Sequence, residues 1–374
     1  MCIRDRNEAS PEEKKFVEEE IEKFQLINDN LYLELEDTLE NSFTNSSEGT
    51  SDKEFINLID KNIKKAFKRL GLCVGAVLIV FVLFIQFGLS PILSILYYNP
   101  SAEIADKEGI TTNQMSLDMA VYTETSRPME KIDSINVTDK GYGNYDFFAY
   151  PTWTYDKNYG GIAGKIEKNK MTLYDPNKLH PIAVNLFGND EESWSGGEDS
   201  KANIEGLPNG QTRYKAYVSF KDNLTFDQVK DLSADYDIMY YWNGVVTNSY
   251  ESHSHENLGF LSTFSGFMIG GWDDKEYPNL QITGNDPGIT SEEIEKREKD
   301  EKEMEKHFLS GLKYLNDNRK FVSMIDYDSD RFRRAYEYVK ENGIKIYGIS
   351  AFLTKEEMLK LYENKEVYGI VFDR

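Results

Sequence analysis

The sequence predicts an α+β protein in four parts: a short acidic helical segment, one membrane-spanning helix, a β-rich region, and a C-terminal α+β module with two βαβ-like units. Three observations predict it. One long apolar run stands inside an otherwise hydrophilic chain of 374 residues with a formal charge of −22. Short stretches rich in Tyr, Val, Thr and Phe, separated by turn residues, follow that run. Near the C-terminus a strand–helix–strand plan occurs twice.

The first part, residues 1–60, reads as a cytoplasmic acidic helical segment. Its opening "MCIRDR" looks like the translation of a sequencing adapter, so residues 1–6 are treated as artefactual and Cys2 carries no argument. From "SPEEKKFVEEEIEKFQLINDNLYLELEDTLE", Ser10-Pro11-Glu12 starts a helix, with Pro in the first turn and acids at the positive dipole end. Val17, Ile21, Phe24 and Ile27 or Asn28 recur at helical spacing and give one apolar stripe. "NSFTNSSEGTSD" is a flexible linker, and a second helix from Ser51 aligns Phe55, Ile59 and Ile63. About sixty residues with two short stripes bury little core unaided, so the stripes read as a partner surface. The competing reading is a solvated acidic helix or a self-packed helical pair.

Residues 61–98 are the basic juxtamembrane helix and the span. A bilayer core of about 30 Å needs about 20 apolar helical residues. From Leu70 to Leu89 the only strongly polar residue is Gln86, and no charge appears between Arg69 and Glu103. Lys61, Lys64, Lys65, Lys68 and Arg69 collar one end, whereas the other flank has no basic residue until Lys107. Basic residues beside a span stay cytoplasmic. The N-terminus is therefore expected inside and the C-terminal domains outside, with Tyr97 and Tyr98 suited to the outer interface. A cleaved signal peptide is disfavoured, because about sixty polar residues precede the run.

Residues 99–205 form the expected extracytoplasmic β-rich domain. "MSLDMAVYTE", "YDFFAYPTWTY" and "HPIAVNLFG" read as strands, separated by "KGYGN", "NYGGIAG" and "DPNK". "FGNDEESWSGGEDSKANIEGLPNG" reads as a long loop at a domain boundary. The only cysteines are Cys2 and Cys73, so this part holds no disulfide and must rely on its core. The acidic balance argues against direct nucleic-acid binding, which needs clustered Lys and Arg.

Residues 206–374 form the α+β module. "YKAYVSFKDNLTFDQVKDLSADYDIMYYWNGV" runs strand, helix with Val229 and Leu232, then strand. "IKIYGISAFLTKEEMLKLYENKEVYGIVFD" repeats that plan, with Met358 and Leu361 on its helix. Thr225 with Gln228, and Thr354 with Glu357, form two capping boxes. An α+β sandwich with ferredoxin-like pairing is expected. Between the units, "SEEIEKREKDEKEMEKHFLSGLKYLNDNRKFVSMI" reads as one long helix, amphipathic at Phe308, Leu312 and Leu315. "SDRFRRAYEYVKENG" is another, stopped by Asn342-Gly343.

Two portions of this arrangement resemble the sigma factor regulator family, the membrane-anchored anti-sigma factors of low-GC Gram-positive bacteria. One runs from "EFINLIDKNIKKAFKRLGLCVGAVLIVFVLF" to about "FFAYPTW". The other comprises "AYVSFKDNLTFDQVKDL", "FLSGLKYLNDNRKF" and "ENGIKIYGISAFLTKEEMLKLYENKEVYGIVFD". The resemblance implies sequestration of an extracytoplasmic-function sigma factor by the cytoplasmic segment, with outer domains reading envelope state. A second membrane regulator is a further implied partner. Acidic helices with apolar stripes suit a basic target through steering plus a hydrophobic anchor. Phe16, Val17, Ile21, Phe24 and Leu31 are the expected anchors, and Glu18, Glu19 and Glu20 the steering charges. One departure is the absence of the His-x-x-x-Cys-x-x-Cys zinc pattern that many anti-sigma factors carry.

Candidate chemistry is sparse. His253 and His255 in "SHSHE" alternate as two metal ligands on a strand would, but a polar loop accounts for them. Asp326, Asp328, Asp330 and Glu337 fall at calcium-loop spacing, yet Arg331 replaces the turn Gly, and acids capping the next helix explain them better. "FSGFMIGGWDD" follows no phosphate-loop spacing and reads as an apolar contact loop through Phe264, Phe267 and Trp272. No catalytic, cofactor-binding or metal residue is therefore assigned, and the chain is not expected to be an enzyme. The rival class is a membrane-tethered extracytoplasmic module that binds a saccharide or peptide and has no sigma partner.

Overall fold

A computed structural model describes residues 22, 52–89, 92, 96–105, 111–128, 130–132, 134–151, 161–175, 196–249, 257–263, 273, 275–280 and 290–372. The chain divides into two units, Met1–Leu83 and Phe84–Arg374. Most of the expected acidic helix lies outside the described residues, including Phe16, Val17, Glu18, Glu19, Glu20, Ile21, Phe24 and Leu31; Glu22 is helical.

In the first unit, helix α1 spans Asp52–Leu83. Its stretch Ile56–Leu83, 28 residues whose most apolar 18-residue window has mean hydropathy 2.2, is long and apolar enough to cross a membrane. At ~1.5 Å per residue it is about 42 Å long. Lys61, Lys64, Lys65, Lys68, Arg69 and Leu70 all stand exposed along it, and Lys64 Nζ pairs with Asp60 at 2.6 Å. A π-helical turn, Phe84–Gly88, follows α1 and contains Gln86, and Leu89 is helical beyond it. Such turns carry one more residue than an α turn and shift the side chains that follow.

Among its described residues the second unit holds three sheets. β1 (Glu103–Ala105) pairs antiparallel with β2 (Thr111–Asn113). Helix α2 (Gln114–Ser126) follows, and its N-cap Asn113 accepts a hydrogen bond from the Ser116 N–H. "MSLDMAVYTE" thus lies within a helix and is not the expected strand. Every residue from Met115 to Ser126 is buried, so selection for an apolar stripe or a strand alternation is absent and the local pattern misleads. β3 (Ile135–Gly141), β4 (Asn144–Ala149), β5 (Ile162–Glu167) and β6 (Lys170–Leu173) form a four-stranded antiparallel meander. The "KGYGN" stretch turns β3 into β4 with positive φ at Gly141 (82°), Tyr142 (56°) and Gly143 (73°). Part of "NYGGIAG", expected as a separator, starts β5 instead; "HPIAVNLFG" lies outside the described residues. Helix α3 (Gly196–Glu205) occupies the expected boundary loop, with Ile204 buried.

The largest sheet has the order β11–β7–β10–β8–β9. Its strands are β7 (Tyr214–Leu224), β8 (Tyr240–Val245), β9 (Gly259–Leu261), β10 (Ile346–Leu353) and β11 (Val367–Phe372). β10 pairs antiparallel with both β7 and β8, and β11 pairs antiparallel with β7. β7 and β8 therefore run the same way on either side of β10, while β10 and β11 do so on either side of β7. Helix α4 (Phe226–Tyr236) joins the first pair and α9 (Lys355–Tyr362) the second. Both capping boxes are present, with each Thr hydroxyl and each N3 side chain satisfying the other's backbone N–H. β10 is buried at every position.

The expected long charged helix is three helices: α5 (Ser291–Glu298), α6 (Glu301–Asp317) and α7 (Arg319–Ile325). Asp300 accepts from the N–H groups of Lys302 and Glu303 and restarts the chain as α6. Asn318 ends it. Helix α8 (Arg331–Asn342) stops at Gly343, whose φ of 70° favours glycine. A single buried cluster runs from Met115 and Tyr145 through Trp242 to Leu315 and Ile349.

Candidate functional site

The chemistry-bearing side chains of the second unit meet along a buried seam between α2 and α6. Two polar bridges cross it. At one, Asp118 on α2 accepts from the Tyr314 hydroxyl on α6 at 2.6 Å and from the Tyr98 hydroxyl at 2.6 Å. Gln114 Nε2 donates to Asp118 at 2.8 Å and to the Tyr314 oxygen at 3.0 Å. At the other, His307 Nε2 meets Glu124 Oε1 at 2.6 Å, while Nδ1 meets the Asn279 carbonyl at 2.7 Å. Both partners can accept, an arrangement that favours the protonated ring. The Trp242 indole N–H donates to the Glu124 carbonyl at 2.8 Å, tying the seam to β8. Between the bridges lies Gly311, where a Cβ would stand 3.1 Å from Thr125 Oγ1. The missing side chain lets the helices approach closely.

Electrostatics at the bridges follow from burial. Desolvation pushes the Asp118 carboxyl up to about 6, against the opposing pull of its hydrogen bonds from Tyr314, Tyr98 and Gln114. At His307, burial opposes the charge, but Glu124 and the carbonyl of Asn279 outweigh it and raise the imidazole above its ordinary value. Burial and the Asp118 charge raise the Tyr98 and Tyr314 phenols. These hydroxyls remain protonated donors.

The segment that follows the apolar helix is fastened to this seam. Tyr98 is 7% exposed, so it is a core residue and not the expected interface anchor. Its N–H donates to Asn169 Oδ1 at 2.6 Å, and its ring lies 5.8 Å from Phe321. Lys320 Nζ donates to the Leu96 carbonyl at 3.1 Å. The N–H groups of Gln114 and Met115 donate to the carbonyls of Ala102 (2.9 Å) and Pro100 (3.1 Å).

At the head of α8 the acids of the calcium-like spacing are each engaged by arginine. Arg331 pairs with Asp326 at 2.7 Å, Arg334 with Asp328 at 2.6 Å, Arg319 with Asp330 at 3.1 Å, and Arg333 with Glu337 at 3.1 Å. Among the described residues no group of three or more His, Cys, Asp or Glu is placed to hold a metal. His253, His255, Phe264, Phe267 and Trp272 lie outside the described residues. A cleft of about 680 Å³ opens beside Arg213, Lys230, Met239, Tyr240 and Phe352. In its wall the rings of Tyr241 and Phe352 pack edge-on at 5.5 Å.

Sequence reasoning did not single out Asp118, Glu124, His307, Tyr314 or the buried role of Tyr98. A signal was present on α6: His307 and Tyr314 recur with Met304, Phe308, Gly311 and Leu315 at helical spacing, which places them on the apolar face. Asp118 and Glu124 inside an apolar run were a second.

No curated protein and no solved structure matches the chain. Residues 204–374 match the family model described as sigma factor regulator C-terminal. That match, which covers somewhat under half of the 374 residues, supports a member of the sigma factor regulator family with one candidate membrane helix ahead of the matched module.

Proposed function

We propose that the protein is a membrane-anchored anti-sigma factor that holds an extracytoplasmic-function sigma factor away from polymerase. The observation that carries this reading is the match of residues 204–374 to the sigma factor regulator C-terminal model, downstream of a helix long enough to span a bilayer. The collar of Lys61, Lys64, Lys65, Lys68 and Arg69 supports an N-terminus inside and a body outside. The acidic, apolar-striped segment before the span then faces the cytosol, where Phe16, Val17, Ile21, Phe24 and Leu31 anchor the sigma factor and Glu18, Glu19 and Glu20 steer it. The outer body reads envelope state, alone or with a second membrane regulator. Its interleaved strand–helix–strand units support a ferredoxin-like module. The protein acts by binding and not by catalysis, and it needs no cofactor.

The direct test is capture of the cognate sigma factor by residues 7–60, with Phe16→Ala/Phe24→Ala as control. Capture lost in the double variant supports the anchor assignment; no capture by either the segment or the full chain refutes the reading. Protease shaving of intact cells tests topology: residues 100–374 must be digested and the first sixty spared. A second reading, an outer ligand-binding module, draws support from the aromatic-walled cleft beside Tyr241 and Phe352. It predicts saccharide or peptide binding that Tyr241→Ala abolishes, with no sigma-dependent transcription phenotype.

A further inference from the structure

The fastening of residues 96–102 to the seam has an unusual lock. Asp118 is fully buried, and all three of its partners are neutral donors: Tyr98 from the overlying segment, Tyr314 from α6 and Gln114 from its own helix. It makes no ion pair among the described residues. The other titratable and charged groups around the lock are already committed. Tyr277 packs against Tyr314 at 5.2 Å and carries Lys313 over its ring. Glu124 and His307 neutralise each other at the second bridge. Lys320 binds the Leu96 carbonyl. A buried carboxylate without a countercharge is costly, because water is exchanged for neutral dipoles alone. The Tyr98 hydroxyl occupies Asp118 Oδ2 at 2.6 Å, so lifting Tyr98 away bares that oxygen.

We propose that residues 97–102 form a strap latched by the Tyr98–Asp118 hydrogen bond, closed when Asp118 is protonated and released when Asp118 ionises. In the closed, protonated state the Gln114 amide turns its oxygen to accept the acid proton, while Tyr98 and Tyr314 go on donating to the carboxyl. Loss of the proton to solvent leaves a carboxylate whose hydration rewards lifting Tyr98 away. The position of the carboxyl near 6 puts this transition between mildly acid and neutral conditions. Release would free residues 97–102 within the second unit: the Tyr98 N–H leaves Asn169, and the Pro100 and Ala102 carbonyls leave the head of α2. The strap would thus turn a change in proton concentration into a change in how residues 97–102 are held on the seam. Which compartment's pH it reads rests on the orientation proposed above; the latch itself does not.

Hydrogen–deuterium exchange on the full chain in lipid nanodiscs tests this. Peptides covering residues 96–105 are followed from pH 5 to 7.5, with rates corrected for intrinsic exchange. Strap amides are expected to exchange about tenfold faster at pH 7.5 than at pH 5 in the wild type, a fraction of the free-energy range open to a buried carboxyl. Asp118→Asn, a neutral isostere, should hold the slow rate across the range. Tyr98→Phe, which keeps the ring and removes the latch hydroxyl, should exchange at pH 5 as the wild type does at pH 7.5. A flat wild-type profile, or a wild-type profile retained in Asp118→Asn, overturns the proposal. Should Asp118→Asn fail to fold, a Tyr98→Phe strap that stays protected with an unchanged pH profile overturns it equally. No sigma factor enters the experiment, so its outcome is separate from that of the capture assay.

Discussion

Asp118→Asn is expected to stabilise the body at neutral pH, the opposite of what a substitution at a fully buried, triply hydrogen-bonded residue ordinarily does. The carboxyl rises from 3.8 to about 6 on folding. A group whose folded pKa is raised contributes stability that is fully present below its unfolded value and is lost as pH rises through its folded value. Asp118 therefore supports the fold below pH 3.8 and burdens it above about pH 6. The difference of about two units corresponds to about 3 kcal/mol at ~1.4 kcal/mol per unit. Asparagine removes that burden but exchanges one acceptor oxygen for a donor. Either Tyr98 or Tyr314 must then turn its hydroxyl to accept, at a cost of about 1 kcal/mol. The balance is a gain of about 2 kcal/mol at pH 7.5 and a loss of about 0.5 kcal/mol at pH 4, with the two stability curves crossing near pH 4.5. Urea unfolding of the purified chain in detergent, followed by near-ultraviolet circular dichroism from pH 4 to 8, measures both arms. A variant that is less stable than wild type at pH 7.5 by 2 kcal/mol or more, or one that keeps the wild-type pH slope, refutes the reasoning.

Other expectations concern neighbouring elements. Glu124→Gln should cost roughly 1–3 kcal/mol, because it removes the charge that holds buried His307 protonated and leaves a neutral hydrogen bond in place of the ion pair, and Glu124→Gln and His307→Gln should be non-additive; a double-mutant cycle by urea unfolding decides. Because the His307 pKa is raised, the His307 contribution is full below its ordinary value near 6.5 and fades as pH climbs past the folded value, so the cost of His307→Gln should shrink from pH 6 to pH 9. Gly259→Ala should destabilise by roughly 3 kcal/mol or more, since its Cβ would stand 1.9 Å from the Asn243 carbonyl oxygen and β8 and β9 must separate; thermal unfolding reports it. Thr225→Ala and Thr354→Ala should each cost about 1 kcal/mol and add, because the two capping boxes sit on different helices.

What the sequence by itself determined is whatever rests on short-range pattern. The apolar run with its one-sided basic collar needs no tertiary partner to be read, because a bilayer sets its length. The capping boxes at Thr225 and Thr354 are local hydrogen-bond geometry, and the strand–helix–strand echo around them follows from alternation bounded by those caps. The stop at Gly343 is a backbone preference. Only the tertiary structure decided the identity of α2. Its residues from Met115 to Ser126 are buried on all sides, so neither the period of a helix nor that of a strand is imprinted on them, and β-prone Val121, Tyr122 and Thr123 tip the local reading to a strand. The same holds for the seam. Asp118 and Tyr314 lie 196 positions apart, and Glu124 and His307 lie 183 apart. A polar residue in an apolar run advertises a partner, but only the antiparallel packing of α2 on α6 decides which. The strap belongs with these: Tyr98 beside a span looks like a ring for the lipid interface until a buried carboxylate two elements away claims its hydroxyl. The order β11–β7–β10–β8–β9 was likewise set by packing, because nothing local tells one strand which of four others will lie beside it.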